Sequence, residues 1–140
     1  MADKVLANKK ILILEDEPDI SNSLKFLFEA EGAKVLTSEY AYKALALAEK
    51  EMPDLCIFDV MLPDESGIQL YVEFKSHPFL CKIPIVFLSG VNAYELGNSW
   101  TAERIANEYD VPPPNSFIDK PFNSDDLLNV IKKILEKSCI

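Results

Sequence analysis

The sequence predicts a doubly wound α/β fold, in which a five-stranded parallel sheet lies between two layers of helices. Two observations lead to this fold class. Five short apolar segments alternate along the chain with five segments of helical periodicity. Several of the apolar segments carry no polar alternation, which is typical of strands buried on both faces of a parallel sheet. Right-handed crossovers between such strands place helices on both faces.

The predicted strands are residues 10–14, 33–38, 55–59, 83–88 and 116–119. The first and third are the clearest, because each is an unbroken apolar run that is too short for a helix and ends in acidic residues. In the third strand the apolar run from Leu55 to Phe58 leads directly into Asp59. We therefore expect Asp59 at the carboxyl end of a central, fully buried strand.

The predicted helices are residues 18–31, 40–51, 68–76, 102–109 and 123–137. Pro18 suits a first helical turn, where a missing N–H costs nothing, and Gly32 is a typical residue at a helix end. Asn123 is the predicted N-cap of the last helix. The stretch before the fourth helix has a weaker pattern, and its Tyr94 and Trp100 fit a partial core or a binding surface about equally well.

Length and composition suit one globular domain over residues 1–140, with a core at about 10–137 and no effector domain. The formal net charge of -9 argues against direct nucleic-acid binding, which needs clustered Lys and Arg, and favours a cation or a basic partner. The chain has no apolar run long enough to cross a membrane and no signal peptide, so we expect a cytoplasmic protein without a membrane partner.

We expect no catalytic or metal-binding role for the three cysteines and the one histidine of the chain. Cys56, Cys81 and Cys139 lack metal-ligand spacing, and Cys56 falls inside a predicted buried strand. His77 precedes a proline after the third helix, and we expect an exposed loop residue without a catalytic role.

Polar side chains follow four of the predicted strands: Glu15 and Asp16 the first, Asp59 the third, Ser89 the fourth and Lys120 the fifth. Ligands of open α/β sheets bind at the carboxyl ends of the strands, so we expect these residues to meet in one crevice. Taken singly, each has an ordinary explanation as a helix N-terminus, a turn hydroxyl or a surface lysine. Their joint placement favours a functional site.

This set of side chains suits phosphoryl transfer. Three carboxylates at close range repel one another unless a cation lies among them, and oxygen ligands with room for water suit Mg²⁺. Asp59 is the best candidate nucleophile, because carboxylates form acyl phosphates. The amine of Lys120 and the hydroxyl of Ser89 would then bind the oxygens of the transferred group.

The sequence resembles the receiver domain of two-component response regulators. The resemblance covers about residues 10–137 and rests on the acidic run 15–17, on residues 59–63 with Gly67, and on residues 87–90 and 120–122. It implies a flavodoxin-like fold with strand order 2-1-3-4-5. It also implies a phosphoprotein of a phosphorelay, which catalyses only its own aspartyl phosphorylation and dephosphorylation and is otherwise not an enzyme.

The resemblance further implies roles for the site residues. Asp59 would be the phosphoacceptor, and Mg²⁺ would be ligated by Asp16, Asp59 and the carbonyl oxygen of Met61, with Glu15 bound through water. The donor would be a histidine kinase or a histidine phosphotransfer protein. The output would be a downstream protein target or a homodimer.

The phosphoryl group itself would be bound by Ser89 and Lys120, with a cis peptide bond between Lys120 and Pro121. Ser89 and Phe117 would be the switch residues.

The sequence departs from the family pattern at three places. Glu15 stands where the family more often has Asp, and Phe117 stands at the switch aromatic, which is often Tyr. The interval between Ser89 and Lys120 is longer than the family pattern, so we regard residues 91–114 as an insertion. Loops often determine specificity, and we predict a partner-specific surface there, against the simpler alternative of a tolerated surface insertion.

Other functional classes remain open. A haloacid-dehalogenase-like phosphatase also uses a strand-end Asp with Mg²⁺, but it needs a second acid two residues later, where this chain has Met61. A flavodoxin-like cofactor binder needs a phosphate loop after the first strand, where the acidic run 15–17 would repel phosphate. An atypical receiver that acts as a phosphorylation-independent interaction module also fits the sequence.

Overall fold

The computed structural model describes residues 6–60, 67–89, 102–119 and 122–138. Within these ranges a five-stranded sheet lies between two layers of helices, which confirms the predicted three-layer α/β/α arrangement. None of the helices in these ranges has both the length and the apolar character needed to cross a membrane.

The strands are β1 (Lys10–Leu14), β2 (Lys34–Ser38), β3 (Leu55–Asp59), β4 (Ile85–Ser89) and β5 (Ser116–Asp119). They pair in the order β2-β1-β3-β4-β5, and all four pairings are parallel. The strand order implied by the family resemblance is therefore confirmed. Every residue of β3 is buried, as expected for the central strand of a sheet covered on both faces.

The helices are α1 (Pro18–Ala30), α2 (Ala41–Glu51), α3 (Gly67–Ser76), α4 (Ala102–Tyr109) and α5 (Ser124–Ser138). A short 3-10 helix (Leu80–Lys82) lies between α3 and β4. The five helices are those predicted from periodicity, with limits that agree within one or two residues.

Alternate side chains of each strand serve two separate halves of the core, because successive strand residues point to opposite faces. On β3, Leu55 and Ile57 pack on the side that holds α1 and α5. Cys56 and Phe58 pack on the other side, against α2, α3 and α4. Both halves are apolar, and together they cover both faces of the sheet.

Local signals explain the helix limits. Pro18 begins α1, and Met52 adopts the left-handed conformation (φ 47°) directly after α2. The Asn123 side chain caps α5, since its Oδ1 accepts hydrogen bonds from the N–H groups of Asp125 (2.9 Å) and Asp126 (3.1 Å). The predicted N-cap is thus confirmed.

Two expectations near the start of β4 are wrong. The strand begins at Ile85 instead of residue 83, because the 3-10 helix occupies the preceding residues and Pro84 has no N–H to donate. His77 is only partly exposed, and its Nδ1 lies 3.1 Å from the N–H donors of both Phe79 and Leu80. The imidazole therefore accepts hydrogen bonds that order this turn.

Candidate functional site

Parallel pairing brings the carboxyl ends of the central strands to one edge of the sheet. Leu14 of β1 is level with Phe58 of β3, so the next residues along, Glu15 and Asp59, follow neighbouring strands at the same height. Asp59 is in turn level with Leu88 of β4, directly before Ser89. The sheet therefore brings Glu15, Asp59 and Ser89 to one edge, as the sequence predicts.

Two carboxylates are buried at this edge. Glu15 is 1% exposed and Asp59 is 5% exposed, and they are the only buried charged residues in the part of the chain that the structure describes. Two carboxylates buried on neighbouring strands concentrate negative charge, and a cation between them would relieve their repulsion.

The acidic turn after β1 forms a compact group of oxygen ligands. One carboxylate oxygen from each of Glu15, Asp16 and Glu17 lies within 4.8 Å of the other two. The N–H of Glu17 donates to Glu15 Oε1 (3.2 Å), and the N–H of Glu15 donates to the carbonyl of Ser38 (3.0 Å). Carboxylate oxygens are the ligands that Mg²⁺ prefers, so this donor set fits Mg²⁺. Sequence reasoning did not select Glu17 as a ligand candidate, although its adjacency to Asp16 was a signal.

Gly67 is packed against the backbone of Asp59. A Cβ atom built on Gly67 would lie 1.9 Å from the carbonyl oxygen of Asp59 and 3.4 Å from Cα of Val60. The N–H of Gly67 also donates a hydrogen bond to the carbonyl oxygen of Val60 (2.8 Å). The N–H of Val60 donates to the carbonyl oxygen of Leu88 on β4 (3.1 Å). A glycine is required here because any side chain would displace the end of β3. The sequence placed Gly67 in a motif but did not reveal this contact.

An aromatic cluster links the strand that ends at Asp59 to Phe117. The Phe58 and Phe87 rings meet edge to face with centroids 6.1 Å apart, and Phe87 stacks on Phe117 at 5.7 Å. Tyr71 of α3 also packs on Phe87 at 5.4 Å, and its hydroxyl donates a hydrogen bond to the carbonyl of Pro112. Phe117 is partly buried on β5, and the proline segment after α4 is tied to the same cluster.

Several predicted site residues lie outside what the structure describes. Met61, Lys120 and Pro121 are not in the described ranges, and neither are residues 91–101, which include Tyr94 and Trp100, nor Cys139. Ser89 is described as the last residue of β4, but its side chain is not. Among the described residues, the structure brings the carboxylates of Glu15, Asp16 and Glu17 together, and it places Asp59 at the end of the neighbouring strand.

Two curated relatives align with this chain over about half of their own length. PhoP of Bacillus subtilis, an alkaline phosphatase synthesis transcriptional regulatory protein, is 32% identical over 131 residues, which cover 94% of this chain and 50% of PhoP. PhoB of Rhizobium meliloti, a phosphate regulon transcriptional regulatory protein, is 30% identical over 129 residues, which cover 92% of this chain and 53% of PhoB. The chain therefore spans about half the length of these curated relatives.

Two solved receiver domains match this chain over nearly all of their own length. A CheY-like response regulator receiver domain protein from Methanospirillum hungatei has a TM-score of 0.77 and 28% identity, covering 93% of this chain and 95% of that one. The signal receiver domain of a histidine kinase from Syntrophus aciditrophicus has a TM-score of 0.75 and 26% identity, covering 92% and 91%.

The family comparison distinguishes a receiver domain from the phosphatase class that the sequence left open. A model of the response regulator receiver domain matches residues 11–132, which include the acidic turn after β1, Asp59, Ser89 and Lys120. The haloacid-dehalogenase-like alternative is not favoured, since the matching family model and both of these solved structures are receiver domains. The chain belongs to the response regulator receiver domain family.

Proposed function

We propose that the chain accepts a phosphoryl group on Asp59 from a phosphohistidine donor and so acts as a switch in two-component signalling. The observation that carries this proposal is the buried carboxylate of Asp59 at the end of the central strand, beside the buried Glu15, in a member of the receiver family. The donor is a histidine kinase or a histidine phosphotransfer protein.

The bonds that form and break in the transfer step belong to the donor and to Asp59. A carboxylate oxygen of Asp59 attacks the phosphorus of phosphohistidine, and an acyl phosphate bond forms as the P–N bond breaks. The electron pair of that bond remains on the imidazole nitrogen of the donor, which takes a proton from solvent. The product is an aspartyl phosphate, and hydrolysis by water later returns the carboxylate and free phosphate.

The acidic group at the crevice is the proposed Mg²⁺ site. Asp16 and Asp59 would ligate the ion directly with the Met61 carbonyl, and Glu15 would act through water. When bound, Mg²⁺ neutralises charge on the phosphoryl oxygens and on the crowded carboxylates. The chain's own contribution is to hold Glu15 and Asp59 at the ends of neighbouring strands.

Ser89 and Lys120 are the proposed ligands of the phosphoryl oxygens, and Phe117 is the proposed switch aromatic. The Phe87 ring stacks on Phe117, so movement of Phe117 would repack the β4–β5 side of the sheet. We propose that this change, together with the surface of residues 91–114, presents the output to a downstream protein or to a second copy.

Phosphorylation of Asp59 is testable by intact mass spectrometry. We expect incubation with a small acyl phosphate and Mg²⁺ to add the mass of one phosphoryl group to the wild type and none to Asp59→Asn. Asp19→Asn is the matched control, because Asp19 is an exposed acid in the first turn of α1. An adduct on Asp59→Asn at the wild-type extent contradicts the assignment. A folded wild type that takes no adduct supports a phosphorylation-independent interaction module instead.

The metal site has a separate test. Asp16→Asn removes one charge from the acidic group, so Mg²⁺ affinity measured by calorimetric titration should fall. The same change relieves repulsion, so the thermal midpoint of the metal-free protein should rise. A metal-free midpoint that falls contradicts this account of the site.

A shortened variant tests the insertion. Joining residue 92 to residue 102 should leave phosphorylation of Asp59 intact and abolish binding to the downstream protein. If that binding and its phosphorylation dependence are unchanged, the insertion is not the output surface.

A further inference from the structure

The outer edge of the sheet at β2 carries backbone groups directed away from the neighbouring strand. The N–H of Lys34 donates to the carbonyl of Lys9 (2.8 Å), and the carbonyl of Ser38 accepts from the N–H of Glu15 (3.0 Å). In a parallel ladder every second residue bonds to the same neighbour, so residues 34, 36 and 38 face β1. The N–H and C=O groups of Val35 and Thr37 therefore point outward. No other strand in the described ranges pairs with this edge.

A groove of about 710 Å³ runs along this edge between α1 and α2. Pro18 and Ser21 lie on its α1 wall and Thr37 on its floor. The α2 wall presents the residues Lys43, Ala46, Leu47 and Lys50, whose spacing of three and four residues places them on one stripe of the helix.

That stripe has a distinct pattern of charge. Two apolar side chains, Ala46 and Leu47, lie between two ammonium groups. Neither Lys43 nor Lys50 has a carboxylate within ion-pairing distance in the part of the chain that the structure describes, whereas Lys34 nearby is paired with Glu51 at 3.4 Å. The α2 wall therefore offers two lysines without a carboxylate partner, one on either side of an apolar contact. The ammonium group of Lys43 also lies over the ring of Tyr40, 5.2 Å from its centroid.

We propose that this groove binds an extended acidic segment of a partner protein, which adds a strand to β2 and places two carboxylates against Lys43 and Lys50. Addition of a strand to a free sheet edge is a common mode of peptide recognition, in which backbone hydrogen bonds supply affinity and side-chain pockets supply specificity. Here the outward backbone groups of Val35 and Thr37 would supply the hydrogen bonds, and the α2 stripe would supply the side-chain specificity.

The spacing of the two lysines along α2 agrees with the spacing of side chains on one face of an extended peptide. Lys43 and Lys50 are separated by about 10 Å along the helix axis, at about 1.5 Å per residue. In an extended segment, residues four apart project from the same face at about 13 Å, and the residue midway between them also projects there. Long lysine side chains span the difference. The segment that fits has an acid, an apolar residue and a second acid at alternate positions.

The charges along the groove are unequal. Glu15 and Glu39 line the end near Lys43, where they weaken the attraction for a carboxylate. Lys50 lies at the other end, where the neighbouring acid Glu51 is already paired with Lys34 and Lys10. We therefore expect charge reversal at Lys50 to weaken binding more than charge reversal at Lys43.

The probe is a terminally blocked heptapeptide with Asp, Val and Glu at its second, fourth and sixth positions and Thr elsewhere. Titration into the full chain, followed by amide NMR, should shift the N–H signals of Val35 and Thr37. The double variant Lys43→Glu/Lys50→Glu should weaken binding at least about fivefold. The control Lys82→Glu/Lys133→Glu makes the same charge change at exposed sites outside the groove and should bind like the wild type.

A backbone variant tests strand addition itself. Thr37→Pro removes the outward N–H without removing a bond to β1, and it should lose binding, whereas Thr37→Val should retain it. If Thr37→Pro does not fold by circular dichroism, the wild-type amide shifts and the lysine variants decide the question.

Other outcomes overturn the proposal. Equal binding of a peptide with Asn and Gln in place of the acids rules out the charge recognition. Peptide-induced shifts elsewhere, or none, rule out the groove. A concentration-dependent dimer that Thr37→Pro abolishes in sedimentation shows that a second copy occupies the edge instead of an acidic partner.

Discussion

Replacement of Gly67 by alanine tests whether close backbone contact between the start of α3 and the end of β3 positions Asp59. The added Cβ would lie 1.9 Å from the Asp59 carbonyl oxygen and 3.0 Å from its carbonyl carbon. Since Cβ contacts under 3.0 Å are essentially never seen, the backbones of Gly67 and Asp59 must separate by about 1 Å.

Two effects of Gly67→Ala on the free energy of unfolding oppose each other, and their magnitudes decide whether the variant is more or less stable than the wild type. Alanine favours a helix over glycine by up to about 1 kcal/mol, and less at the first residue of α3. Overpacking against buried backbone costs about 1–3 kcal/mol. We therefore expect a net loss of about 1–2 kcal/mol in the free energy of unfolding.

Urea unfolding and the rate of Asp59 phosphorylation measure the two consequences. A displacement of about 1 Å at the nucleophile should slow phosphorylation about 10- to 100-fold. Gly32→Ala is the control, because Gly32 has φ 95° and its replacement should cost about 1–2 kcal/mol through backbone strain. It lies before β2, away from Asp59, and should leave the phosphorylation rate of the folded protein unchanged.

Two results would refute this reasoning. A Gly67→Ala protein more stable than the wild type would show that the helix propensity outweighs the contact. A destabilised variant that is phosphorylated at the wild-type rate would show that the contact does not position Asp59.

Three further substitutions test single contacts. Tyr71→Phe removes the hydrogen bond to Pro112 and should cost about 1 kcal/mol at neutral pH. Burial raises the pKa of Tyr71 to about 12, so the wild type should lose stability as the pH rises from about 10 towards 12, and the variant should lose less over that range in urea unfolding. Asn123→Ala removes the α5 cap and should lower the unfolding free energy by about 1 kcal/mol, whereas an unchanged value would mean that water replaces the cap. His77→Ala should cost about 1–2 kcal/mol, because two backbone N–H groups lose their acceptor, while Glu49→Gln should cost under about 0.5 kcal/mol in the same assay. Equal losses of unfolding free energy in His77→Ala and Glu49→Gln would contradict the role of the imidazole as a hydrogen-bond acceptor.

Local sequence signals were sufficient for the elements of the fold and for the position of the acids. The apolar run of β3 and its terminal Asp59 are adjacent in sequence, and strand burial on both faces leaves a continuous apolar pattern. The Asn123 cap is likewise a contact over two and three residues. Such features are predictable because the interacting groups are neighbours along the chain.

Contacts between distant segments depended on the tertiary structure. The approach of Gly67 to the Asp59 carbonyl joins the start of α3 to the end of β3, and no periodicity of the sequence describes it. The imidazole of His77 was expected in solvent, but the turn before β4 brings two N–H donors to it. In both cases the outcome depends on backbone geometry that residue types alone do not specify.

The sequence by itself determined that five strands and five helices alternate and that Glu15, Asp16 and Asp59 follow the first and third strands, because periodicity and strand-end placement are local properties. Only the tertiary structure decided which backbone groups of β2 face outward and which side chains line the groove beside them. The register with β1 determines which residues of β2 bond to β1 and which face outward. The groove forms only when α1 and α2 pack on opposite faces of the sheet.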